Sequence, residues 1–143
     1  MKDCVFCQIV AGAAPASVVY SDETILAFMD VLPVNPGHVL VISKAHAARL
    51  YELEEETGAQ IFCVAMRISK SLARSSIRCE GVTLLLADGE AAFQEVPHVH
   101  LHVVPRFKGD GFGLKFGPKY GKRPERKELE AIASSIREAL ASG

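Results

Sequence analysis

The sequence predicts an α+β domain: five strands in a mainly antiparallel sheet, one long helix and a C-terminal helix. Short β-branched or aromatic runs separated by turn signals predict the strands. One long segment places Ile61, Ala65, Ile68 and Leu72 at the i, i+4, i+7, i+11 spacing of a single helix face. At 143 residues and 49% apolar content the chain holds enough material for one real core. No internal repeat and no domain boundary is visible, so residues 1–143 are expected to form a single domain.

The elements follow in order. Residues 4–10 are apolar and compact, one or two helical turns ended by Gly12 and Pro15. Residues 17–20 and 24–29 read as strands joined through Ser21, Asp22 and Glu23, a hairpin signal. Residues 32–37 form a rigid turn, since Pro33 and Pro36 fix φ and Gly37 frees it. Residues 38–42 then read as a buried strand. Residue 53 to about residue 78 is the long helix, with Glu54, Glu55 and Glu56 suited to its positive N-terminal end. Residues 82–87 are a strand, Asp88-Gly89 a turn, and residues 98–104 the fifth strand. Pro97 is tolerated because it precedes the first residue that must donate to the ladder. Gly109, Gly111, Gly113 and Gly117 make a flexible tail, and residues 125–141 form the last helix.

Net charge is -1 and the pI about 6.5, which offers no global electrostatic case for nucleic acid or a membrane surface. The charge is uneven: residues 106–127 carry eight Lys or Arg against two acids. Such a stretch suits an anionic ligand or an acidic partner, and equally a solvated loop. No apolar run reaches the length of a transmembrane helix. The N-terminus has an acid at Asp3 and a break at Gln8, unlike a secretory leader. The expected location is cytoplasmic, with the four cysteines reduced.

The chain contains five histidines, and three of them, His98, His100 and His102, alternate within five positions. In a strand these would share one face, about 6.6 Å apart, with Val99, Leu101 and Val103 on the other. Imidazoles buried without partners are costly, so that face must be polar. A solvent-facing strand, a metal-binding face and a nucleophilic imidazole are the three readings. A neutral imidazole, with a pKa of about 6.5, is a competent nucleophile at physiological pH.

The run His98-Val99-His100-Leu101-His102-Val103-Val104 resembles the signature of the histidine triad (HIT) family of nucleotide-binding hydrolases and transferases. Three blocks carry the resemblance, the last running through the triad itself: DCVFCQIVAG at the N-terminus, AFMDVLPVNPGHVLVISKAH, and DGEAAFQEVPHVHLHVVPR, which together span residues 3–106.

The resemblance implies a HIT-like fold that dimerises into a ten-stranded sheet, with residues 1–107 a nucleotide-binding core and 108–143 a basic loop and C-terminal helix. It implies a nucleotidyl-histidine mechanism: His100 attacks the α-phosphorus, and water then releases the nucleoside monophosphate. His102 is similar to the member that contacts the phosphate and leaving group, and His38 to the supporting fourth histidine. Backbone N–H groups of residues 94–96, with a protonated His102, are expected to stabilise the phosphate charge. Gln94 resembles a glutamine beside the phosphate, with Val96 nearby, and Asp30 a carboxylate for ribose hydroxyls. Val5, Phe6, Ile9, Phe28 and Val31 match the apolar positions around the base; without the resemblance they read simply as core. Substrates implied are a purine nucleoside phosphoramidate, nucleotidyl ester or dinucleoside polyphosphate.

Two positions depart from the family pattern. Ala87 stands where relatives often carry Asn or Gln, and Phe93 where they often carry glycine. Both bear on the leaving group and leave His100 untouched. Cys4 and Cys7 alone could be a redox pair, half a zinc site or neither. By resemblance, Cys4, Cys7, His46 and His98 make a closed Cys2His2 set for structural zinc. Cys63 and Cys79 read as packing residues. Two other readings of the whole chain are a nucleotide- or partner-binding regulator with incidental hydrolysis, and a metal-dependent hydrolase ligated by the triad itself.

Overall fold

The computed structural model describes residues 4–143; Asp3, on which part of the N-terminal reading rests, lies outside them. Two compact units divide at Phe112 and Gly113. In the first, helix α1 (Val5–Val10) precedes strands β1 (Val18–Ser21), β2 (Ile25–Met29) and β3 (Val39–Ser43). Helix α2 (Glu55–Leu72) connects to β4 (Gly81–Leu86), and β5 (His100–Arg106) follows. All pairings are antiparallel, in the order β1-β2-β3-β5-β4. The second unit contains helix α3 (Arg126–Ser142), which buries none of its residues and leaves Leu129, Ile132, Ile136 and Leu140 exposed.

Period-two alternation divides the sheet into two faces. Ile25 and Ala27 of β2, Val39 and Val41 of β3, and Leu101 and Val103 of β5 pack with Ile61, Val64, Ala65 and Leu72 of α2. Leu26, Phe28, Leu40 and Ile42 point the other way, toward Cys4 and Phe6 at α1. The register pairs Leu40 with His102 and Ile42 with His100, so both imidazoles share this second face. Because β5 is an inner strand, His100 is only 5% exposed there. The histidine face is therefore a sheltered surface between β3 and β4, which excludes the solvent-facing reading.

Most boundaries shift by one or two residues from those the sequence predicts, and three differences bear on the site or its surroundings. β5 begins at His100, not His98, because the His98 amide turns to Val96 O (2.8 Å) and Val99 N donates to Ala47 O (2.8 Å). Helix α2 ends at Leu72, six residues early. There the Ser75 hydroxyl donates to Leu72 O (2.8 Å), one of the side-chain bonds by which serine competes with helix continuation. The loop after β5 belongs to the first unit as far as Phe112. Asp110 pairs with Arg106 (2.6 and 2.8 Å) and accepts from Asn35 Nδ2 (2.8 Å), tying the loop back to the turn before β3.

Candidate active site

Above the histidine face lies a cavity of about 640 Å³, within the range of small-molecule sites. Phe6 of α1 stands edge-on to Phe28 (5.5 Å between ring centroids) and to His100 (5.3 Å), closing one side. Val5, Phe6, Ile9, Phe28, Val31, Asp30, Val96, His38, His100 and His102, all singled out above, line this one cavity. Gln94 does not. Its Nε2 donates to Ala48 O (2.8 Å) and Val96 O (3.0 Å), and its Oε1 accepts from Gly89 N (2.7 Å). The side chain is thus occupied in shaping the 89–96 loop. Glu95, Leu85 and Phe112, not singled out from sequence, line the cavity as well.

Hydrogen bonds fix the ring tautomers, because each ring nitrogen facing a carbonyl must donate and each facing an N–H must accept. His100 Nδ1 lies 2.7 Å from His98 O, so Nδ1 carries the proton and Nε2 keeps its lone pair. His38 Nδ1 accepts from Val34 N (3.1 Å), so its Nε2 is protonated and donates to His102 Nδ1 (2.9 Å). His102 in turn carries its proton on Nε2. Asp30 Oδ2 stands 3.5 Å from His38 Nε2 and 4.0 Å from His102 Nδ1, and its Oδ1 is held by Leu32 N (2.8 Å). The partners that set the tautomers, Val34 N–H and His98 O, are backbone groups that the sequence does not reveal.

Burial lowers the pKa of His102 to about 4, with His100 and His38 adding to the effect and Asp30 opposing it. Burial lowers that of His38 too, again against Asp30. With its pKa pushed down to about 4, His102 is neutral at physiological pH in this structure; the sequence expectation of a protonated stabiliser concerns the ring with phosphate beside it. As a neutral ring it still presents an Nε2–H donor.

At the other end of the triad, Cys4, Cys7, His46 and His98 converge with all their donor atoms within 4.8 Å of one another. Cys4 Sγ to His98 Nδ1 is 3.5 Å, Cys7 Sγ to His46 Nδ1 3.3 Å and Cys7 Sγ to His98 Nδ1 3.7 Å. A tetrahedral ion with bonds of about 2.0–2.3 Å needs ligands roughly 3.3–3.8 Å apart, so the set fits zinc. His98 Nε2 donates to Ser43 O (2.8 Å), which turns the Nδ1 lone pair toward the cysteines. Burial raises the Cys7 thiol pKa, with Cys4 reinforcing the shift. Cys63 is exposed on α2 and Cys79 is half-buried with its thiol on Gly81 O, so only Cys79 matches the packing role read from sequence.

An antiparallel sheet with alternating histidines on an inner strand, one keeping a free ring nitrogen toward an apolar cavity, defines a histidine-site protein of the α+β class. A family model, the HIT domain, matches residues 11–109. This chain belongs to the HIT family. A HIT family member of known structure from Bacillus subtilis is 38% identical, covers 95% of this chain and 96% of its own, and superposes with a TM-score of 0.86. A Zn-bound histidine triad family protein from Mycobacterium smegmatis is 39% identical over 96% of this chain and 98% of its own, with a TM-score of 0.75. A Schizosaccharomyces pombe relative named adenosine 5'-monophosphoramidase is 36% identical across 93% of this chain and 95% of its own length.

Proposed function

We propose that this chain is a nucleotide hydrolase or transferase that cleaves at the α-phosphate of a purine nucleoside phosphoramidate, nucleotidyl ester or dinucleoside polyphosphate through a nucleotidyl-histidine intermediate. The observation that carries the reading is the His100 tautomer: Nδ1–H on His98 O leaves the Nε2 lone pair free toward the cavity. The name of the S. pombe relative supports the same chemistry.

His100 Nε2 attacks phosphorus, and the bond from phosphorus to the leaving group breaks. The negative phosphate beside His102 raises that ring's proton affinity, opposing the effect of burial. His102 then takes up a proton from solvent and passes its Nε2 proton to the departing group. Water adds its hydroxyl to phosphorus as the P–Nε2 bond breaks, and its proton returns to His102. The phosphate charge is met by the His102 Nε2–H and by the backbone N–H groups of Glu95 and Val96, since the Gln94 amide is already bonded to Gly89 O. Asp30, at the edge of the His38–His102 pair, is the carboxylate for ribose, and Phe6, Ile9, Phe28 and Val31 hold the base.

Cys4, Cys7, His46 and His98 would hold a structural zinc, which ties the N-terminal segment to the strand carrying His100. A metal-dependent hydrolysis at the triad itself is disfavoured: His98 faces the cysteines and His100 Nδ1 is bonded to a carbonyl. The chain is proposed to act as a homodimer in the cytoplasm; among the described residues no helix is long and apolar enough to cross a membrane. The test is to incubate the protein with adenosine 5'-phosphoramidate, measure AMP release, and determine the intact mass under acid-sparing conditions. One nucleotidyl group per chain, located on His100, is expected. Turnover with the adduct on another residue, or no AMP release from any nucleotide conjugate, would refute the reading.

A further inference from the structure

Phe93 is the one residue other than glycine with a positive φ among the described residues, at φ 65° and ψ 32°. That left-handed conformation is disfavoured for any residue with a Cβ. The surrounding loop enforces it: Phe93 N donates to Glu90 O (2.9 Å) and Gln94 N to Gly89 O (3.1 Å). The Gln94 amide locks the same loop through Gly89, Ala48 and Val96. The outcome is an aromatic ring 87% exposed, yet lining the cavity that holds His100. A strained backbone that presents a large apolar side chain to solvent beside a reactive group calls for a ligand.

The sheet order says which part of a ligand reaches that ring. Across the histidine face, Leu40 of β3 lies on one side of His102 and Leu85 of β4 on the other. Phe6 and Phe28 wall the β2–β3 side. With phosphorus at His100 and the base against Phe6 and Phe28, the group displaced from phosphorus extends toward β4. There the lining residues are Leu85, 42% exposed, together with Phe93 and Glu95. Among the described residues no Lys or Arg lines the cavity, and the carboxylates that do are Asp30 and Glu95. A chain of further phosphates meets no cation in this cavity; an uncharged or cationic apolar group meets an apolar wall.

We infer that Phe93 and Leu85 form a leaving-group platform selecting substrates whose displaced group carries an aromatic ring. The inference rests on the proposed attack by His100, which sets the direction in which the leaving group departs. Phe93 is then a specificity residue, and its ring stacks on that of the departing amine.

The test compares two AMP conjugates, the N-phenethyl and N-propyl phosphoramidates, with wild type and Phe93→Gly. Glycine adopts the left-handed conformation freely, so the loop keeps its path; melting temperature and the affinity for AMP check this. The ratio of kcat/KM for the two conjugates removes any general loss of activity, and comparing that ratio between the two proteins removes the intrinsic reactivity of the amines. The phenethyl preference is expected to fall by about tenfold in Phe93→Gly and to survive in Phe93→Tyr. A ratio changed less than twofold, or lost equally in Phe93→Tyr, overturns the platform. The same conjugates are titrated calorimetrically onto His100→Ala with and without Phe93→Gly. If wild type releases AMP from neither of these nor from any other nucleotide conjugate, the hydrolase reading fails. The affinity ratio then decides the platform by itself: a phenethyl preference that depends on Phe93 upholds it, and equal affinities overturn it.

Discussion

His100 Nδ1 sits 2.7 Å from the carbonyl oxygen of His98, while the His98 ring turns away from it toward Cys4 and Cys7. One residue thereby serves two groups: its imidazole belongs to the Cys2His2 set and its backbone oxygen orients the attacking ring. A histidine free to rotate would present either nitrogen; this one is restricted before substrate arrives, so less orientation entropy is lost at the transition state.

His100→Ala is expected to lower turnover of every substrate the wild type cleaves by at least about a thousandfold, or more than ~4 kcal/mol of barrier. AMP affinity should stay within a few-fold, because Phe6, Ile9, Phe28 and Asp30 line other parts of the cavity. Steady-state rates and calorimetric titration with AMP, on protein of unchanged melting temperature, measure both. Near-normal turnover would remove His100 from the chemistry.

One zinc per chain is expected in protein purified without chelator, by elemental analysis. Cys4 lies outside the cavity lining, so Cys4→Ser reports on the metal group and not on substrate contacts. Structural zinc contributes roughly 10 kcal/mol or more in finger peptides. Here a separate core carries much of the fold, and a melting drop of about 10 °C is expected. Protein that purifies without zinc and whose melting temperature is unchanged by Cys4→Ser would count against the assignment.

Much of this site was legible in the sequence because it depends on strand parity. Once residues 98–104 read as a strand, His100 and His102 had to share a face opposite Leu101 and Val103, and they do. The two-residue error at His98 did not disturb that parity. The Cys4, Cys7, His46 and His98 set, taken from the family resemblance, does converge. What stayed hidden depends on backbone partners and on sheet order. Neither the His100 tautomer nor the His102 shift follows from residue type, since both arise from burial and from carbonyls that only the folded chain supplies. The bend of Gln94 away from the cavity is hidden for the same reason, its partners being Ala48, Val96 and Gly89.

The fold should lose stability as pH falls from about 6.5 to about 4. In the unfolded chain His102 titrates near 6.5; in the folded chain burial lowers it to about 4. Between those values the unfolded state binds the extra proton, so stability rises with pH, and the contribution is complete above 6.5. His38 shifts in the same direction. Urea midpoints at pH 7.0, 5.5 and 4.5 measure the slope, and His102→Gln, which cannot titrate, should flatten it. An unchanged slope would mean that His102 is not held neutral by the fold.

Asp110→Asn should loosen the loop that brings Phe112 to the cavity. The Asp110 carboxylate accepts from Arg106 Nε and Nη2, from Asn35 Nδ2 and from the amides of Phe107 and Phe112. Its pKa is held well below the usual carboxylate range, first by Arg106 and further by Asn35 and the two amides. The same Arg106 reaches Thr83 Oγ1 on β4 and Phe112 O, so one ion pair joins the turn before β3, the β4 edge and the loop after β5. Replacing the carboxylate by an amide removes the charge and turns one acceptor into a donor facing Arg106, leaving part of this network unpaired. Melting should fall by several degrees. Because Phe112 lines the cavity and takes no part in the proposed chemistry, KM for a nucleotide conjugate should rise several-fold with kcat little changed. Arg106→Lys, which keeps the charge but not the fork, should fall between wild type and Asp110→Asn. Equal losses in kcat for both variants would instead place the network's influence on the histidines themselves.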